Sequence, residues 1–218
     1  ACVATAALID WTFSVTKPPR ITADTAVDSL THAIEAYVSR RAFPYTDAFA
    51  LSAMPLIANH VRRAYADPDD AVAREALMIA AAQAGMAFSN ASVALVHGMS
   101  RPIGAHFHVA HGLSNAMLLP TVTAFSVDAA PARYATCARV MGLARDADND
   151  AVACERLIDG LRRLNDDLAV PNPTALGHVA DDAMLVLMAR QALASGSPAN
   201  NPKVPSEVEI INLYKEMW

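Results

Sequence analysis

The sequence has no basic run, no paired-cysteine motif and no apolar stretch as long as a membrane span. Its 17 Lys and Arg against 22 Asp and Glu give a net charge of −5, so nothing in it offers a nucleic-acid surface. The three cysteines, Cys2, Cys137 and Cys154, are odd in number and show no CxxC spacing. They predict a reducing compartment, read as the cytoplasm, and no disulfide framework. The most apolar region, residues 76–88, is interrupted by Gln83 and falls short of the ~20 residues that a spanning helix needs. A secretory leader pattern is missing. There is no G-x-G-x-x-G or other glycine-rich phosphate loop, no H-E-x-x-H pair and no nucleophile elbow. These absences argue against a nucleotide-phosphate site built from these residues, a zincin protease and a serine hydrolase.

What is present is apolar. The chain of 218 residues is 54% hydrophobic, with a mean hydropathy of +0.23. A helical domain with one face covered by something else explains that excess. The chain opens at Ala1-Cys2-Val3 without an initiator Met, which leads us to expect a further segment upstream. Weak alternation over residues 1–10 allows one short strand, and Lys17-Pro18-Pro19 marks a linker. From Thr22 onward the apolar residues recur at helical spacing, so the fold is expected to be all-α with eight or nine helices. The expected helices are one from Thr22, then roughly 47–66 with a kink at Pro55, an Ala-rich central helix at 71–88, 111–126, 131–142, 150–165, 180–194 and 206–217.

Four of the seven histidines lie between Val96 and Gly112. A helical run is expected to end near His97, glycines and Pro102 to break the chain, and another helix to begin near His111. A second stretch complements this one. Asp28 and His32 are one helical turn apart and share a face. With Glu35 they form a polar stripe about 100° round from the apolar stripe of Val27, Leu30, Ile34, Tyr37 and Val38. One carboxylate and three imidazoles suit a divalent transition metal with a position left for a substrate oxygen. Taken singly, each of these residues has an ordinary alternative: a surface Asp–His hydrogen bond, or a satisfied structural histidine.

The stretch from Asp28 to Tyr37 resembles the first signature of the iron-containing (group III) alcohol dehydrogenase family. His97-Gly98-Met99-Ser100-Arg101-Pro102-Ile103-Gly104-Ala105, with His111-Gly112 fourteen positions after His97, resembles the second. Phe88-Ser89-Asn90, Leu119-Pro120, Asn200-Asn201-Pro202 and the closing Leu213-Tyr214 and Trp218 agree with the same family. The resemblance implies a multi-helix metal-binding domain over 21–218, with 1–20 as the hinge end of an absent dinucleotide-binding domain. It implies Asp28, His32, His97 and His111 as ligands of Fe²⁺, with Zn²⁺ possible. Phe88 would line the substrate pocket, and Arg101 would stand beside the nicotinamide and the metal. His106 or His108 could carry the proton out. The implied reaction is hydride transfer between an alcohol or aldehyde and NAD or NADP, in a homo-oligomeric full-length protein. Three departures stand out: Arg101 where many members have another histidine, Ala26 for a common glycine and Ala110 for a common proline. The weighed alternatives are a stand-alone helical metal-binding module and a relative of glycerol dehydrogenase or dehydroquinate synthase.

Overall fold

The computed structural model describes residues 6–218. Within them lie nine α-helices, four short 3-10 turns and no strand. The helices are α1 (Pro19–Val38), α2 (Pro44–Ala66), α3 (Ala71–Ala91), α4 (Leu95–Phe107), α5 (His111–Ser126), α6 (Pro131–Val140), α7 (Asp150–Asp167), α8 (Asp182–Ala194) and α9 (Glu207–Met217). The short strand expected over 1–10 falls partly outside the described residues, and residues 6–10 carry no regular structure.

Local chemistry sets the boundaries. Pro19 and Pro44 each open a helix, because a proline costs nothing where no intrahelical N–H bond is made. α1 therefore starts three residues before Thr22, and α2 three before Asp47. α2 also runs through Pro55 instead of ending there. Asp70, Asn149, Asp181 and Ser206 cap α3, α7, α8 and α9 by accepting a backbone N–H in the first turn.

The helix expected near His111 is found, but the break expected at the glycines and Pro102 lies later, at residues 108–110. α4 occupies Leu95–Phe107 and carries Gly98, Pro102 and Gly104 inside it. The helix ends where His108 takes a left-handed conformation, φ 57°. Two features hold it helical. The Glu35 carboxylate accepts from the Ala94 and Val96 N–H groups at 2.8 and 2.6 Å, so the helix start is capped from α1. Gly98 meets the ring of Pro198, which a Cβ would approach to 2.8 Å, so the glycine serves packing and not a turn.

α1 is the central helix. It packs on α2, α3 and α5, and α4 packs on α5 and α8. Val27, Leu30, Ala33, Ile34 and Ala36 of α1 are buried. The Ala-rich α3 was expected at the centre but lies at one side. Its small residues Ala80, Ala84, Ala87 and Ala91 are buried, while Val72, Ile79 and Met86 face solvent. α3 is 21 residues long, longer than expected, and by length and composition alone could cross a membrane. Here it packs on α1 and α2 as one wall of the bundle. Cys137 and Cys154 are unpaired and buried.

Candidate metal centre

Three helices bring the site together. α1 contributes Asp28, His32 and Glu35 from one face. α4 contributes His97 from its first turn, and α5 contributes His111 as its first residue. The approach of α5 to α1 depends on Gly112: a Cβ there would overlap the backbone carbonyl of Asp24. Only a glycine lets the start of α5 touch α1 and set His111 beside Asp28.

Asp28 Oδ1 lies 3.4 Å from His97 Nε2 and 3.6 Å from His111 Nε2. One ligand atom from each of these three residues lies within 4.8 Å of the others. That spacing fits a metal ion, since two ligands each ~2.1 Å from one ion at the tetrahedral angle are about 3.4 Å apart. Their exposure is graded: His97 3%, Asp28 21% and His111 50%, so the group is closed on the α4 side and open on the His111 side.

His32 stands beside this group and not inside it. Its Nδ1 is 3.8 Å from Asp28 Oδ1, and its ring stacks on Phe88 at 4.1 Å between centroids and lies 4.3 Å from His97. Phe88 thus flanks the site through His32. Arg101 sits within α4, which does not end at Pro102 as expected. Its Nη1 donates to Ser197 Oγ at 2.8 Å, and its charge is felt at His111. His106 Nε2 pairs with Gln191 Oε1 at 2.8 Å, and His108 is the exposed cap of α4. Neither joins the hydrogen bonds of the ligand group.

Two residues outside the expected ligand set complete the site: Glu35, expected only as part of the polar stripe, and Asn115, which no motif singles out. Glu35 is 3% exposed and its Oε2 lies 2.7 Å from His97 Nδ1. This contact fixes which ring nitrogen faces Asp28, as a carboxylate behind a metal-binding imidazole does. Asn115, fully buried, lies one turn after His111 and donates from Nδ2 to Asp28 Oδ1 at 2.6 Å. Spacing was the available signal for both. Glu35 falls two turns after Asp28, and Asn115 falls one turn after His111, each on its ligand's face.

The electrostatics follow from this arrangement. Burial opposes the Asp28 charge, but the hydrogen bond to His97 and the nearby imidazoles outweigh it and hold the carboxyl below its usual range. Burial and the neighbouring His97 bring His32 down to about 4. Partial burial, with the charges of His97 and Arg101, also lowers His111. His97 moves the other way. Burial disfavours its charge, yet Glu35 and Asp28 push it up to about 9.

Residues 22–218 match the family model described as Fe-containing alcohol dehydrogenase family, C-terminal. The chain is 38% identical over 206 residues to 1,3-propanediol dehydrogenase of Citrobacter freundii, covering 93% of this chain and 52% of that protein. It is 36% identical over 211 residues to the NAD-dependent methanol dehydrogenase of Bacillus methanolicus, covering 97% and 55%. A crystal structure of 1,3-propanediol oxidoreductase superposes with a TM-score of 0.92 at 36% identity, covering 96% of this chain and 55% of that one. The chain spans about half the length of the curated relatives it matches. With three donors converging at metal-ligand spacing and this match across nearly all of its residues, the chain belongs to the Fe-containing alcohol dehydrogenase family.

Proposed function

We propose that this chain is the metal-holding helical part of an NAD(P)-linked alcohol dehydrogenase, with residues 21–218 as the metal-binding catalytic domain and 1–20 as the hinge. The observation that carries the reading is the convergence of Asp28, His97 and His111, with one ligand atom each within 4.8 Å of the others. His32 supplies the fourth ligand by turning its ring from Phe88 toward Asp28 Oδ1, which already lies 3.8 Å from its Nδ1. Fe²⁺, or Zn²⁺ in its place, would bind these four residues and supply Lewis-acid chemistry at an alcohol or carbonyl oxygen, with NAD or NADP as hydride partner. Glu35 keeps the His97 ring oriented for that role, and the half-exposed His111 marks the side from which substrate enters. Homo-oligomerisation and a cytoplasmic location are further parts of this proposal.

Phe88 gives the pocket an apolar wall. Arg101 keeps its charge at any working pH and faces a hydroxyl, Ser197, instead of a carboxylate. It is therefore free to hold a second oxygen or an acid group of the substrate through paired hydrogen bonds. His108, exposed at the cap of α4, is at most a rim residue for proton exit.

Metal analysis of Asp28→Ala, His32→Ala, His97→Ala and His111→Ala tests the ligand set. Each variant is expected to lose most of its bound metal. Metal content equal to wild type in His97→Ala or His111→Ala would sink the assignment. For Arg101, the ratio of kcat/KM for a diol over butanol in the full-length enzyme is expected to fall about ten- to a hundred-fold in Arg101→His, the size of one lost charge-assisted contact. An unchanged ratio would make Arg101 a residue of the protein surface only.

A further inference from the structure

Asn115 is fully buried, and its side chain is oriented against its own hydrogen-bonding interest. Its Nδ2 donates to Asp28 Oδ1 at 2.6 Å and lies 3.2 Å from both His97 Nε2 and His111 Nε2. Its Oδ1 is buried and has no hydrogen-bond partner. A buried amide carbonyl without a partner is costly, and most are satisfied. A half-turn of the carboxamide would exchange the two atoms, but it would set Oδ1 against the ionised Asp28 oxygen. The orientation is therefore dictated by Asp28. The amide nitrogen thus stands within 3.2 Å of a ligand atom from each of Asp28, His97 and His111.

We propose that Asn115 is a positioning residue of the metal centre: its carboxamide holds Asp28 in the ligating position and spaces the two imidazoles for an ion. The inference rests on the metal reading given above. A carboxylate oxygen has lone pairs for more than one partner, so Asp28 Oδ1 can keep the Asn115 N–H while a cation takes the other side. α5 places both the ligand His111 and the positioning residue Asn115 on one face, one turn apart. The order of the site is thus built in before the ion arrives, which lowers the cost of binding it.

The test is Co²⁺ binding by the full 218-residue chain, followed by visible absorption and by competition with a chromophoric chelator. Wild type, Asn115→Ala, Asn115→Ser and His97→Ala are compared, with the Tm of each metal-free protein measured alongside. The Kd for Co²⁺ is expected to rise about ten- to a hundred-fold in Asn115→Ala, the range for residues that orient metal ligands. The visible band should change shape as Asp28 loses its fixed orientation. Asn115→Ser keeps a small donor, and it is expected to fold and to bind more weakly than wild type. A fall in metal-free Tm with an unchanged Kd and spectrum, in whichever of the two variants folds, would show a packing role and overturn the proposal. Failure of wild type to bind Co²⁺, or wild-type binding by His97→Ala, would overturn the metal reading itself and the Asn115 proposal with it.

Discussion

Glu35 decides how His97 behaves. It accepts from backbone N–H groups at the start of α4 and from the His97 ring at once, so one buried carboxylate sets both the helix start and the imidazole. In the metal-free chain Glu35 and Asp28 raise the His97 pKa to about 9, from an ordinary 6.5. A metal needs the His97 lone pair, so below about 9 the ion must displace a proton. His32 and His111 are shifted down and Asp28 is held ionised, so they add no proton to displace at neutral pH. Zn²⁺ affinity is therefore expected to rise by about tenfold per pH unit from pH 7 and to level off near pH 9. Glu35→Gln removes one of the two negative charges that hold the proton, so the levelling should move toward neutral pH. Chelator competition across this range checks it. Identical pH profiles for the two proteins would mean that Glu35 does not govern His97.

At the scale of elements, the site depends on how closely α5 can approach α1. Gly112 abuts the Asp24 carbonyl, and backbone cannot yield as a flexible side chain can. Gly112→Ala would ordinarily favour a helix by about 1 kcal/mol. Here it should instead push the start of α5 away, moving His111 and Asn115 together off Asp28. The expected outcome is a loss of metal affinity of at least tenfold with helix content unchanged. Circular dichroism and metal titration measure the two effects separately, and metal binding equal to wild type would show that α5 is not set by this contact. Gly98 packs on Pro198 in a similar way, and this explains the unbroken α4. In the sequence its glycines and proline signal a turn, because both residues usually punctuate helices. Sequence spacing cannot tell a glycine needed for a turn from one needed for close packing.

For the whole molecule, the apolar excess is partly accounted for by surface. Leu8, Phe13, Val72 and Val179 are each more than half exposed. No glycine-rich phosphate loop occurs in the sequence. The 218-residue chain alone is accordingly expected to bind metal yet show no measurable oxidation of butanol with NAD or NADP. Turnover by this chain by itself would contradict the proposal that cofactor binding needs further residues. The sequence alone determined the all-α class, the positions of most helices and the pairing of two histidine-bearing segments. Apolar periodicity and residue identity are local properties of the chain, and they are written directly in it. The tertiary structure decided the rest: that the second segment is a helix capped by Glu35, that α1 and not α3 is central, and that Asn115 sits against Asp28, His97 and His111. It also left His32 stacked on Phe88. Each of these depends on which surfaces meet across distant parts of the chain, and such contacts leave no mark in local spacing.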